Sequence, residues 1–237
     1  MKTVRPISNV VQLTRLKNFS CHLFEHDDNL TLIETGFTGF ATGILKAAQK
    51  LGKPIKRILI THAHGDHAGS LDAVTAELLN LEIIASARTA QFLSGDRSLP
   101  PDELGQKLRG GYQTCKTKPT HLIADGETIA GFRALFTPGH APGHVSYFHE
   151  LTGNLFCGDA LISAAGGLHI TGEFRWLFPF PYFSTANRAQ ALASAKLLRQ
   201  LNAKAIHPAH GPAILNPSED INEAVARAEK ALNSKAA

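Results

Sequence analysis

The stretch Thr61-His62-Ala63-His64-Gly65-Asp66-His67 places four side chains able to bind a metal within six residues. It follows Arg57-Ile58-Leu59-Ile60, a short apolar run bounded by charge that predicts a buried strand. Beyond it, residues 67–79 carry the apolar spacing of a helix. The donors therefore sit where a strand hands over to a helix, a position from which a rigid sheet can aim them. Imidazole and carboxylate suit zinc and its first-row neighbours. A polar loop that merely caps a helix has no need of four such donors, so the stretch predicts a metal site.

Upstream, residues 10–13, 21–24 and 30–33 predict successive strands, with His26-Asp27-Asp28-Asn29 as the turn between the last two. Residues 40–51 have helical spacing and are stopped by Gly52 and Pro54. Downstream, 82–85 predict a strand, and Ser86 caps a short helix ending near Phe92. Residues 94–119 read as an irregular excursion around a short helix near 102–108. Strands follow at 122–123, 132–136, 145–148 and 155–157, then a helix at 185–201, a strand at 205–206 and a helix at 219–232. Strands and helices alternate in two similar halves. This predicts an α/β (α+β) fold of two sheets packed face to face with helices outside, as a single domain over residues 1–237.

The second half supplies further donors. Thr137-Pro138-Gly139 forms a tight turn that presents His140 after one predicted strand, Asp159 follows another, and His210 follows a third. Donors at successive strand ends can converge on one sheet edge. His144 lies four residues beyond His140 and reads either as a support or substrate-facing residue or as simple packing. His207, before Pro208, reads as structural. His22, His26, His121, His149 and His169 have no spacing partner and read as surface or satisfied polar residues.

His62-Ala63-His64-Gly65-Asp66-His67, followed in order by His140, Asp159 and His210, resembles the metallo-β-lactamase-fold superfamily of metal-dependent hydrolases from about Leu30 to Gly211. The resemblance implies a four-layer αββα sandwich with a dinuclear site for two divalent ions, zinc first, with iron or manganese as alternatives. It places His62, His64 and His140 on one metal, Asp66, His67 and His210 on the other, and Asp159 as the bridge. A hydroxide shared by the metals would attack a substrate carbonyl, and Asp66 would also pass a proton to the leaving group. The family usually carries an aspartate before an early Thr-Gly turn. Here Glu34 precedes Thr35-Gly36, so Glu34 is expected to buttress the metal loop with a longer side chain.

Within the family, a bridging Asp159 argues against the β-lactamases, which lack an aspartate there. Hydroxyacylglutathione hydrolases share the donors but carry a C-terminal domain, whereas this sequence ends 27 residues after His210. Acylhomoserine-lactone lactonases resemble it in length, yet Ile162 stands where they place a tyrosine. Hydrolysis of a small ester, lactone or thioester is the leading expectation. The alternatives are β-lactamase-like activity, a phosphodiesterase or nuclease of the ribonuclease Z kind, and an iron persulfide dioxygenase.

A net charge of +4 comes without a Lys/Arg cluster, which argues against a nucleic-acid partner and for a small-molecule substrate. Three scattered cysteines form no CxxC pair, and no leader-like or membrane-spanning apolar run is present, so a cytoplasmic protein is expected. Residues 174–183 hold the one tryptophan among six aromatics. Their prolines predict a loop, in which Trp176, Phe178, Phe180, Tyr182 and Phe183 line an apolar substrate pocket. Homodimer contact is the other use for that loop.

Overall fold

The computed structural model describes residues 1–103 and 107–234 of the chain. Two compact units emerge. One comprises Met1–Ser98 and Gly111–Ile123, the other Leu99–Gly110 and Ala124–Ala237.

The first unit is built on strands β1 (Lys2–Ile7), β2 (Val10–Arg15), β3 (Phe19–Glu25), β4 (Leu30–Ile33), β5 (Ile55–Leu59), β6 (Glu82–Ala85) and β7 (His121–Leu122). They form a seven-stranded sheet in sequence order. Pairing is antiparallel from β1 to β4 and parallel from β4 to β7. Helix α1 (Ala41–Leu51) buries Ile44, Ala47 and Ala48, one stripe at helical spacing. Gly52 ends it in the left-handed region. Ser86 caps α4 (Ala87–Leu93) by accepting from the Thr89 N–H. The edge strand β1 has an exposed first half and no alternating apolar pattern, which is why the sequence did not reveal it.

The helix expected over 67–79 is two shorter ones, α2 (Gly65–Ala68) and α3 (Leu71–Thr75). The break falls where Ser70 docks on the loop before α1: its N–H donates to Gly36 O at 3.2 Å, and its hydroxyl accepts from Phe40 N–H at 3.0 Å. Contacts outside the helix thus replace the helical ladder there. The helix expected near 102–108 falls partly on residues 104–106, which lie outside the described residues; among those described, Pro101–Glu103 forms a 3₁₀ turn and 107–108 are not helical.

The second unit carries β8 (Thr128–Ile129), β9 (Phe132–Phe136), β10 (Val145–His149), β11 (Asn154–Gly158), the hairpin β12 (Leu161–Ile162) and β13 (His169–Ile170), then β14 (Ala205–Pro208) and β15 (Ile214–Leu215). Its main sheet is ordered β15-β14-β11-β10-β9-β8. Strand β10 is antiparallel to both β9 and β11, and β11 is parallel to β14. Hence β9, β11 and β14 run the same way and end at one edge. Helices α6 (Arg188–Arg199), capped by Asn187, and α7 (Ser218–Asn233) bury Ala195, Leu198, Ala224 and Val225 with Leu155, Leu161 and Ile206.

The aromatic segment is not wholly a loop, because Phe180–Ser184 forms a short helix, α5. Pro181 lies in its first turn, where a missing N–H costs no helical bond. Among the described residues no helix is long and apolar enough to cross a membrane.

Candidate metal centre

In the first unit the donor loop leaves the end of β5 and is held from two sides. On one side lies the turn after β4. Thr35 donates its N–H and its hydroxyl to His67 O, at 2.7 and 2.9 Å. Glu34 is buried. Its Oε1 accepts from the Thr61 N–H at 3.0 Å, and its Oε2 lies 3.4 Å from His67 Nδ1. The glutamate reaches both groups from a left-handed backbone, φ +66°, a conformation that costs a non-glycine residue about 1 kcal/mol or more. On the other side residues 111–113 form a strap: Gly65 N–H donates to Gly111 O at 2.9 Å, and Gln113 N–H to Ala63 O at 2.7 Å. The Tyr112 ring meets the His64 ring edge-on, with centroids 4.7 Å apart. Arg97 pins the strap through Tyr112 O and Gln113 O.

The imidazoles are thereby aimed inward. His62 Nδ1 lies 3.0 Å from Thr61 Oγ1, leaving Nε2 to face His64 Nδ1 at 3.0 Å. His67 turns Nδ1 to Glu34 and Nε2 toward Asp66 Oδ2, 3.6 Å away. Donor atoms of His62 with His64, of His62 with His67, and of Asp66 with His67 each lie within 4.8 Å. All three histidines are buried; Asp66 is partly open to solvent.

In the second unit the shared strand direction brings His140, Asp159 and His210 to one sheet edge. Asp159 Oδ2 lies 3.2 Å from His140 Nε2, and Oδ1 lies 3.1 Å from His210 Nε2. Gly139 and Gly211 make the turns possible, at φ +131° and +100°. A Cβ at Gly139 would come 2.2 Å from Ala191 N, and one at Gly211 2.3 Å from Ala164 N.

The hydrogen-bond sense fixes two tautomers here. Asp159 N–H donates to His144 Nε2 at 3.1 Å, so His144 carries its proton on Nδ1 and donates to Thr137 Oγ1 at 2.9 Å. His144 thus holds the backbone of Asp159. Thr185 donates its hydroxyl to Pro181 O at 2.5 Å, so it accepts from Thr171 at 2.9 Å, and Thr171 in turn accepts from His140 Nδ1 at 2.9 Å. Neutral His140 then presents a bare Nε2 to a carboxylate oxygen. Two acceptors face each other at 3.2 Å, an arrangement that calls for a proton or a cation between them. Imidazole and carboxylate grouped in this way fit a divalent first-row metal. Thr61, Tyr112, Thr171 and Thr185 support the donors but carry no spacing signal, and the sequence did not single them out.

The remaining chemistry-bearing residues are accounted for by burial. His207 Nε2 lies 2.9 Å from Asn154 Oδ1 and its ring stacks on Phe156; burial pushes its pKa down to about 3. Burial likewise pushes His169 down to about 4. The Cys21 and Cys157 thiols are driven well up by burial, and Cys115 to about 11 by burial and then the Asp72 charge, so none is a ready thiolate.

Of the aromatic side chains in the segment, only Phe178 is buried, its ring centroid 5.2 Å from that of His210. Tyr182 is half-buried beneath Arg188, whose Cζ lies 3.8 Å over its ring. Trp176, Phe180 and Phe183 are exposed, at 83, 63 and 59%.

A family profile described as the metallo-beta-lactamase superfamily matches residues 19–210. The uncharacterized protein YobT of Bacillus subtilis is 39% identical over 212 residues, covering 89% of this chain and 91% of that one. A hydroxyacylglutathione hydrolase of Thermosynechococcus vestitus is 30% identical over 158 residues; the match covers 67% of this chain but 50% of that enzyme, so only half its length is represented. Among solved structures, TTHA1623 in a di-iron-bound form has a TM-score of 0.63 at 27% identity, covering 88% of this chain and 94% of that one. In a chain of this descent the His/Asp clusters suggest a dinuclear metal site. With its fold, its donors and the profile in agreement, the chain belongs to the metallo-β-lactamase superfamily and is a metal-dependent hydrolase.

Proposed function

We propose that the protein hydrolyses a small ester, lactone or thioester with an apolar acyl part. In this reading His62, His64 and His140 hold one divalent metal, Asp66, His67 and His210 a second, and Asp159 serves both. The observation that carries the substrate class is Phe178, buried against the ring of His210 within a segment whose other rings are exposed, save the half-buried Tyr182. It supports an apolar wall that begins at a donor residue and extends outward through Phe180, Tyr182, Phe183 and Trp176. The metals, when bound, supply Lewis acidity at the carbonyl oxygen and a water that is acidic near neutral pH.

The chain's own residues do the rest. Glu34 and the 111–113 strap orient the first cluster; His144 and the threonine hydroxyls orient the second. The aromatic segment seats the acyl group and excludes water. Asp66 Oδ2, the most solvent-accessible donor, is placed to hand a proton to the leaving group. An Asp66→Asn protein that keeps both metals and full turnover would remove that role.

Zinc is the metal proposed, and the di-iron form of TTHA1623 keeps iron as the alternative. The partial match to hydroxyacylglutathione hydrolases keeps a thioester among the substrates. The test is a parallel panel of short and long acyl lactones, aryl esters, an acyl-glutathione thioester, a chromogenic β-lactam and a phosphodiester, with metal content measured on the same sample. Metal-dependent turnover of the acyl substrates is expected. Turnover of the phosphodiester or the β-lactam alone, or one iron per chain without hydrolysis, would overturn the reading.

A further inference from the structure

We propose that Thr171 and Thr185 form a hydroxyl relay that positions His140 and couples it to the aromatic helix α5. The inference rests on the reading of His140 as a metal residue and adds a route by which metal and acyl binding sense each other. The relay is a directed chain. Pro181 O can only accept, so the single proton of Thr185 is committed to it, that of Thr171 to Thr185, and that of His140 Nδ1 to Thr171. A second contact of 3.3 Å joins His140 Nδ1 to Thr185 Oγ1 directly. All three side chains are at most 3% exposed, so water does not compete for these bonds.

The relay begins inside α5. Pro181 belongs to that helix, and Thr185 is the residue that ends it. Just beyond, Ala186 N–H donates to His140 O at 3.0 Å and Asn187 N–H to Gly139 O at 2.8 Å, so backbone and side chain of His140 are both tied to the end of α5. Phe174 packs on Tyr182 of α5 at 5.3 Å, which links the Trp176 segment to the same helix. A metal at His140 Nε2 requires the proton on Nδ1, the state the relay enforces. Fixing α5 therefore favours metal binding, and by linkage metal binding orders α5.

Trp176, the only tryptophan, stands two residues from Phe174, which packs on α5, and serves as the fluorescent reporter. The experiment is zinc titration of the metal-free full chain, following affinity by chelator competition and Trp176 emission in parallel, for wild type, Thr185→Val, Thr185→Ser, Thr171→Val and His140→Ala. Thr185→Val is expected to weaken zinc binding about 10- to 100-fold and to abolish the emission change, with Thr185→Ser close to wild type in both. Should Thr185→Val fail to fold, Thr171→Val carries the test, since it leaves the Thr185–Pro181 bond in place. Valine variants with wild-type affinity and an unchanged emission response would overturn the relay. If His140→Ala also binds as wild type, or wild type takes no zinc, it is the metal reading that fails.

Discussion

The two donor clusters are supported in opposite ways. In the first unit all four donors come from one turn of chain after β5, and the one charged support is Glu34, joined by the hydroxyls of Thr35 and Thr61 and a backbone strap. In the second unit three donors come from three loops. Their support is a set of neutral hydroxyls and one imidazole: Thr171, Thr185, Thr137 and His144. A contiguous loop needs one anchor to be aimed as a block. A dispersed set needs the sheet to bring its members together and a separate bond to turn each ring.

The sharpest way to break the dispersed cluster is at its turns. Gly211→Ala would place a methyl 2.3 Å from Ala164 N and 2.5 Å from Ser163 C, in a left-handed conformation that alanine resists. Backbone cannot yield as a flexible side chain can. We expect a loss of about 3 kcal/mol or more in urea unfolding, among the larger effects of single substitutions. Gly52→Ala is the control: the same φ sign with nothing within 4 Å, and an expected loss of about 1 kcal/mol. Equal losses would show that close approach at Gly211 is not what shapes the His210 turn.

Next in size is the anchor of the contiguous loop. Glu34→Gln keeps the acceptor for Thr61 N–H but removes the charge facing His67 Nδ1, whereas Glu34→Ala removes both. Zinc affinity should fall about 10-fold for glutamine and up to about 100-fold for alanine, measured by chelator competition. A Glu34→Ala protein with unchanged affinity would mean that the strap at 111–113 and the Thr35 and Thr61 hydroxyls suffice without the carboxylate.

The same contrast explains what was legible in the sequence. His62, His64, Asp66 and His67 announce themselves because their spacing is local. His140, Asp159 and His210 could be placed because each follows a run that predicts a strand, and parallel strands end at one edge. Nothing marks Thr171 or Thr185. They reach His140 through the β12-β13 hairpin and the end of α5, features set by tertiary packing and not by periodicity. The break at Ser70 was hidden for a related reason: apolar spacing continues across it, while the bonds that interrupt the helix come from residues 36–40. In residues 174–183 the prolines predict a loop, although Pro179 at the N-cap and Pro181 in the first turn of α5 are both compatible with a helix.

Acid sensitivity should also divide the units. His207 and His169, both in the second unit, are held neutral by burial, with pKa values near 3 and 4. The unfolded chain protonates them near 6.5, so above that pH they contribute no slope. As pH falls from 6.5 toward 3 or 4 the unfolded state binds more protons, and stability drops by up to about 1.4 kcal/mol per pH unit for each group. His207→Gln retains an N–H for Asn154 Oδ1 but cannot titrate. Its melting temperature should decline less steeply than wild type between pH 6.5 and 4. An identical slope would place the acid sensitivity elsewhere.

The smallest effect on stability belongs to Trp176, and it isolates function from fold. At 83% exposure its ring buries little, and Trp176→Ala should change unfolding free energy by no more than about 0.5 kcal/mol. Phe178, at 4% exposure beside His210, is the opposite case; Phe178→Ala should cost about 3 kcal/mol and disturb the donor itself. If the exposed rings seat an acyl chain, Trp176→Ala should raise KM for long-chain substrates and leave short-chain kinetics alone, because Phe178 is the ring of the segment that packs on a donor while Trp176 stands exposed. Uniform kinetics across chain lengths would remove Trp176 from the pocket and turn attention to association. In that case sedimentation of wild type against Trp176→Ala would show a change in mass where the kinetics showed none.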